Sequence, residues 1–497
     1  MNISNFEFSA LPKALFGPDG KMYHCNAKSK LVGILESLAK DESNTEKSSQ
    51  VPNGQLESES KKAAILDGMA FLHTYFKPTH IKTCEDLCID ISKKILLKFG
   101  HYNEVHVVFD TYFSDSLKKD ARENRSQGKD PVQYRISAEM KVGSISMARL
   151  LAHEKTKDEI TAFLAEKILK ITSEAKKKFI VSWRDKAQSS EDLADVSSLC
   201  TTQEEADTKI ILHAVYLASN GLDITHIFSP DTDVMVLALR RIPRLTPQVG
   251  IFLGQGMKKF VDLIPIFNAL GPLKASALPG LHALSGADIT GSFINKGKLK
   301  WWKTFIDAGD DIHEALAKLG TGSSLDEEIR QRLEELVCKL YIPKTALKDV
   351  GEVRWWLFTK KQCQDENLPP TRGALDPAFL RAHLQASIWR QDLKQNPELP
   401  PALNCGWKKN GENFEPIPCV GPCVPEVAME LCRCNCGQKR CAPPCTCRAH
   451  NLKCTEMCKC EGKLDLCDNF DIEDEDDDDE ERTMCSDTSD SSDDGEE

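Results

Sequence analysis

Residues 225–239, "THIFSPDTDVMVLAL", run a short apolar stretch through Pro230 into two aspartates, Asp231 and Asp233, one residue apart. Helix chemistry alone accounts for the local pattern. Pro is tolerated at a first helical position, and acidic side chains in a first turn complement the helix macrodipole. The same punctuation elsewhere opens a second reading. "AAIL" (63–66) ends at Asp67, and "VHVVF" (105–109) ends at Asp110. "KFIVSW" (178–183) and "VGIFL" (249–253) are further short apolar runs in a chain that otherwise alternates with helical pattern. Strands alternating with helices predict an α/β domain with a mainly parallel sheet flanked by helices. In open sheets of this kind ligands bind beyond the carboxyl ends of the strands, so three aspartates there would meet at one edge.

Composition bounds the rest. A chain of 497 residues is long enough for about three domains. No apolar run reaches the roughly 18 residues of a membrane span, and the N-terminus lacks a basic region followed by an apolar one, so neither membrane insertion nor a secretory signal is expected. The net charge of −12 is concentrated in one place: residues 471–497 hold 16 acidic residues and one Arg. The remaining body has 63 basic and 60 acidic residues, a balance that does not repel nucleic acid. The tail has nothing apolar to bury, so it is expected to be disordered, solubilising, and open to contact with basic proteins. Residues 40–62 are polar and punctuated by Pro and Gly, as a linker is. The expected division is an N-terminal segment and linker (1–62), an α/β domain (63–300), a helical extension (301–404), a Cys-rich module (405–469) and the tail (470–497).

Two more acidic signatures flank the opening stretch. "TTQEEADTKIILHAVYLA" (201–218) opens an apolar-periodic helix with Glu205 and Asp207, and "ALSGADITGSF" (283–293) sets Asp288 in a Gly-flanked loop. Residues two apart do not share a helix face, so Glu205 and Asp207 reach one site only from the first turn. Several carboxylates in one pocket repel unless cations fill it, and hard oxygen ligands favour Mg²⁺ or Mn²⁺. Two such ions about 4 Å apart clamp the attacking and leaving oxygens in phosphodiester hydrolysis. After Asp110, "FDTYFSDSLKKDARENRSQGK" would, if helical, put Lys118, Arg122 and Arg125 on one face, suited to a phosphate backbone or simply to solvent.

The ordered set resembles the PIN-fold 5′-nucleases of the flap endonuclease/XPG type over residues of about 63–300. Asp67 matches that family's first aspartate after a strand, and "VVFDTYFSDSLKKDARENR" matches its "VFD" strand end followed by a Lys/Arg helix. Glu205-Ala206-Asp207 matches its acidic pair, with Asp where Glu is usual. Asp231-Thr232-Asp233 matches its D-x-D, and Gly286-Ala287-Asp288 its Gly-x-Asp loop. The resemblance implies Mg²⁺- or Mn²⁺-dependent cleavage of structured nucleic acid. Asp67, Asp110, Glu205, Asp207, Asp231, Asp233 and Asp288 would hold two ions. Lys118 (or Lys119), Arg122 and Arg125 would steady the scissile phosphate. "NKGKLKWWK" (295–303) faintly echoes the family's Gly-containing DNA-binding turn.

Thirteen of the 20 cysteines fall between Cys405 and Cys467. Without a secretory signal this density points to metal rather than disulfides, and thiolates at such spacing suit tetrahedral Zn²⁺. The block from 432 to 469 is similar to a tesmin-type CXC domain, in which nine cysteines share three zinc ions and basic residues contact DNA. The nine counterparts are Cys434, Cys436, Cys441, Cys445, Cys447, Cys454, Cys458, Cys460 and Cys467. Pro444 stands where that family has a DNA-contacting Tyr. Lys439, Arg440, Arg448 and Lys453 are the candidate phosphate contacts. Cys405, Cys419, Cys423 and Cys432 are an extra site or buried thiols. His213 and His282, among apolar neighbours, read as packed side chains. Trp301-Trp302 and Trp355-Trp356 read as core or interface before base-stacking residues.

Together these features point to a metal-dependent structure-selective nuclease, nuclear, acting on nucleic acid, with DNA favoured over RNA, and localised by a zinc module. The alternative is a non-catalytic DNA- or chromatin-binding protein on a PIN-like scaffold, with a mobile-element origin compatible with either.

Overall fold

The structure is a computed structural model. It describes residues 3–25, 28–45, 60–113, 116–117 and 131–425 except 193, 362 and 412, together with parts of 434–469. The chain divides into two compact units, residues 1–423 and 424–497.

The first unit is built on a seven-stranded sheet of order β4-β3-β2-β1-β5-β6-β7. Its strands are β1 (Lys62–Asp67), β2 (Glu104–Val108), β3 (Phe179–Trp183), β4 (Lys186–Ser189), β5 (Ile224–Phe228), β6 (Gln248–Leu253) and β7 (Lys259–Asp262). The five inner strands are parallel, and β4 and β7 close the two edges antiparallel. The inner strands are the apolar runs of the sequence, as expected of strands covered on both faces. The edge strands "KAQS" and "KFVD" carry no such run, and each buries only one residue, Ala187 and Val261. The first residues of "FVDLIPIFNALG" (260–271) belong to edge strand β7. Its helix begins only after Asp262, which caps Ile264 N at 3.0 Å.

Helices cover both faces: α1 (Ser29–Thr45), α2 (Gly68–Thr74), α3 (Cys84–Phe99), α4 (Glu154–Glu174), α5 (Ala206–Ser219), α6 (Thr232–Arg241) and α7 (Leu263–Leu284). Ala64 and Leu66 of β1 face a core completed by α3 and α4. Ala63 and Ile65 face the opposite core, with α5, α6 and α7. That second core continues into α8 (Lys298–Ile306), α9 (Asp310–Lys318), α10 (Glu327–Tyr341), α11 (Val350–Lys361) and α12 (Arg372–Arg390), around the buried indoles of Trp301 and Trp389.

The chain leaves β1 toward β2 and β3, then returns to add β5 and β6 on the other side of β1. The switch point between β1 and β5 is where a doubly wound sheet opens a crevice. Register sets the strand ends level there: Asp67 pairs with Val108, and Leu66 with Phe228. Residues 14–25, unassigned in sequence, bind back onto the loop that carries Asp288, with Ser292 N donating to Tyr23 O at 2.7 Å and Ile294 N to Ala14 O at 2.9 Å.

Candidate metal centre

Asp67, Asp110, Glu205, Asp207, Asp231 and Asp288 line one cavity of about 680 Å³ at the switch point. Each is held by its own backbone setting. Asp67 ends β1 and caps α2, its Oδ1 accepting from Ala70 N at 2.9 Å and its Oδ2 from Ser229 Oγ at 3.1 Å. Gly68 follows because a Cβ there would run into the Phe109 ring, so the ends of β1 and β2 close tightly. Asp110 reaches across to the start of α5, where its Oδ1 accepts from Ala206 N at 2.7 Å. Glu205 is the N-cap residue of α5 and Asp207 lies in its first turn, the geometry that lets residues two apart reach one site.

The opening stretch serves both of its readings. Asp231 caps α6, accepting from Asp233 N at 2.9 Å, while it also lines the cavity. Pro230 is not the first helical residue. It precedes the cap, because α6 starts at Thr232 and the extended Asp231 is the N-cap. Carboxylate oxygens of Asp207, Asp231 and Asp233 come within 4.8 Å of one another, a spacing able to hold a cation. Gly286, at φ 106°, turns the loop before Asp288, and a side chain there would press on Cys25 and Ser292.

Lys28 and His282 reach the cluster from outside every motif singled out above, and Lys298 reaches it from within "NKGKLKWWK". Lys28 Nζ meets Asp288 Oδ1 at 2.5 Å and Asp233 Oδ2 at 3.5 Å. His282, expected only to pack, is fully buried and lies 2.8 Å from Asp233 Oδ1 through Nε2. Lys298 Nζ contacts His282 Nδ1 at 3.0 Å and also donates to Ser285 Oγ and Gly286 O at 2.8 Å. With Lys298 donating to Nδ1, the tautomer is fixed and Nε2–H donates to Asp233. His213 does pack, buried beside His106 with Nδ1 atoms 2.6 Å apart.

Burial governs the charges. It lifts the Asp67 carboxyl to about 6, with Asp110 adding to the shift. It lifts Asp231 to about 7, helped by Asp233. For Asp233 burial acts in the same direction but is outweighed by His282 and Lys28, which hold it at about 2. Burial, then Lys298, lowers His282 to about 4, so the imidazole is neutral and Lys28 supplies the ionic part of Asp233's stabilisation. Burial would lower the Lys28 ammonium too, but Asp233 and Asp288 raise it. Carboxylates driven to hold protons near neutrality are the electrostatic signature of a site short of positive charge.

Lys118, Lys119, Arg122 and Arg125 lie outside the described residues. Lys157 and His73 line the cavity from α4 and α2. Trp301 and Trp302 are core residues, Trp356 packs at the core's edge, and Trp355 is exposed.

In the second unit, Cys434, Cys441, Cys445, Cys447, Cys454, Cys458, Cys460 and Cys467 are all buried and, among the described residues, form a core made only of cysteine. Cys436, Cys432, Lys439 and Arg440 lie outside the described residues, and Arg448 and Lys453 are exposed. Among the described residues two four-sulfur groups occur, Cys434/Cys441/Cys454/Cys460 and Cys434/Cys445/Cys447/Cys454. Their sulfurs stand 3.7 to 3.9 Å apart where paired, as between Cys434 and Cys454 and between Cys445 and Cys454. A zinc–sulfur bond of about 2.3 Å gives a tetrahedron edge of about 3.8 Å, so the donor set fits zinc, and Cys434 and Cys454 belong to both groups. The described cysteines are all free thiols. Cys405 is not part of such a group but a buried thiol beside Leu384 and Trp407. Cys419 and Cys423 are half-buried in the first unit.

No protein-family model and no curated protein sequence matches the chain. Among solved structures it is similar to the bacteriophage T5 D15 flap endonuclease, determined as a pseudo-enzyme–product complex with DNA and metal ions. Identity is 11%, covering 67% of this chain and 90% of that one, at a TM-score of 0.33. It is also similar to the T5 5′-exonuclease with bound zinc, at 13% identity over 67% of this chain and 97% of that one, TM-score 0.30. A third is the catalytic core of Rad2 with DNA substrate, at 15% identity over 64% and 93%, TM-score 0.30. Superpositions this loose fix no residue correspondence.

Proposed function

We propose that the protein is a divalent-metal-dependent, structure-selective nuclease that hydrolyses phosphodiester bonds in DNA. The observation that carries this reading is the convergence of six carboxylates on one cavity at the sheet's switch point, with a seventh, Asp233, directly behind. A scaffold has no physical reason to gather buried and half-buried carboxylates that repel one another. The donor set is all oxygen, which suits Mg²⁺ or Mn²⁺. Asp67, Asp110 and Glu205 on one side, and Asp207, Asp231, Asp233 and Asp288 on the other, would hold two ions. Bound there, the ions would supply Lewis-acid activation of water and charge stabilisation at the displaced phosphate oxygens.

The protein's own residues do the rest. Asp67, Asp110 and Asp231 are fixed by helix-capping hydrogen bonds, so their carboxylates are preorganised. Neutral His282, locked by Lys298, orients Asp233. Lys118 or Lys119, Arg122 and Arg125 are assigned to the phosphate backbone. The C-terminal unit is assigned as a CXC-type module of about three zinc ions, holding the enzyme on DNA in the nucleus through Lys439, Arg440, Arg448 and Lys453. No helix among the described residues is long and apolar enough to cross a membrane.

One observation favours the second reading, a non-catalytic DNA-binding scaffold. Lys28 already neutralises part of the acidic cluster without metal. Cleavage of flap, bubble and single-stranded DNA with Mn²⁺ separates the two. Metal-dependent products that vanish in Asp67→Asn and Asp231→Asn support the nuclease, and no product from any substrate supports the scaffold.

A further inference from the structure

Lys28 comes from outside the run of acidic motifs, yet both sides of it are anchored. On one side α1 buries Leu31 and Leu35 in the main core. On the other, residues 14–25 are hydrogen-bonded to the loop of Asp288. Its neighbours Cys25 and Ser29 line the same cavity. The ammonium is therefore delivered to the carboxylates by the fold, rather than by a surface side chain swinging in. Its side chain is 23% exposed and Asp233's is 1% exposed, so the pair is sheltered from the salt that screens surface ion pairs. Asp67, across the cavity, is held instead by hydrogen bonds from Ala70 and Ser229.

We propose that Lys28 is an internal counter-cation occupying the Asp233/Asp288 side of the cluster, so that a divalent ion enters that side only by displacing its ammonium. The inference rests on the two-ion reading above and makes the two ions unequal. The ion at Asp67 and Asp110 binds without this competitor. The ion at Asp233 and Asp288 must outbid a charge already paired there. A single positive charge keeps the acidic loop together in the resting protein but has no Lewis acidity, so the site is preformed and idle until metal arrives.

The test is Mn²⁺ binding to the full-length, zinc-loaded protein, followed by the electron paramagnetic resonance signal of free Mn²⁺. Wild type should show a stronger and a weaker site. Lys28→Met should tighten the weaker site by at least about tenfold, the change expected from removing a competitor worth one order of magnitude, and leave the stronger one unchanged. Lys28→Arg, which keeps the charge, should retain the weak site and controls for disturbance of α1. Acylation of Lys28 in wild type, read by peptide mass spectrometry, should rise as Mn²⁺ fills the second site. A weaker site that stays the same or loosens in Lys28→Met, or acylation indifferent to Mn²⁺, overturns the proposal. Failure of every variant, wild type included, to bind Mn²⁺ overturns the two-ion reading itself.

Discussion

Asp231 and Asp233, chemically alike and one residue apart, should respond to the same substitution with opposite signs. Pure relief of carboxylate repulsion predicts that Asn at either position stabilises the metal-free protein, but the surroundings differ. Asp231 has a folded pKa raised to about 7. A carboxylate raised in this way makes the folded state bind more protons than the unfolded chain, so its contribution is present at low pH and is lost as pH rises from about 4 to 7. The shift corresponds to about 4 kcal/mol at pH 8 as an upper bound. Asn keeps the helix cap and removes that penalty. Asp233 is held at about 2 by His282 and Lys28 against its burial. Its contribution is present above pH 4 and is lost as pH falls toward 2. Removing that charge destabilises by about 2 kcal/mol at neutral pH and takes from Lys28 the largest of the carboxylate charges acting on it. Urea denaturation at pH 8, in buffer free of Mg²⁺ and Mn²⁺, should therefore place Asp231→Asn above wild type and Asp233→Asn below it. Saturating Mn²⁺ should erase the advantage of Asp231→Asn. Two variants shifted in the same direction would refute the assignment of Lys28 and His282 to Asp233.

Mn²⁺ binding should release protons in buffer at pH 6, because Asp67 and Asp231 titrate at about 6 and 7, and release should fade by pH 8. Calorimetry in buffers of different ionisation enthalpy measures it. Gly68→Ala drives a methyl group into the buried Phe109 ring and should cost about 1–3 kcal/mol while loosening metal binding, read by denaturation and Mn²⁺ titration. Purified protein should carry about three zinc ions per chain. Chelation should unfold residues 434–467 and leave the sheet's circular dichroism intact, and finding no zinc in alkylation-resistant protein would indicate disulfides instead.

The five inner strands were legible because each is an apolar run, and three of them end in, or lead within three residues to, an Asp that also caps or docks a helix. β4 and β7 were not, since each edge strand is four residues long and buries only one of them. Six acidic positions were readable from punctuation alone, by their place at strand ends and helix starts. Lys28 was not, because it lies 39 residues before Asp67 and only tertiary packing of α1 brings it in. His282 looked like a core residue and is one. Its role follows from a hydrogen bond to Asp233, and no spacing in the sequence encodes that bond. The dense cysteines announced a metal site, while the sharing of Cys434 and Cys454 between two sulfur groups emerges only from the fold.

The most direct measurement is single-turnover cleavage of a 5′-flap DNA by wild type and by the Asp67→Asn/Asp231→Asn double variant, with Mn²⁺ varied from zero to saturation. The two-ion site predicts cleavage only with metal and a fall of about a thousandfold or more in the variant at unchanged DNA affinity, since it removes preorganised ligands of the charges that stabilise the transition state. Metal-independent cleavage, or a double variant as fast as wild type, would contradict it.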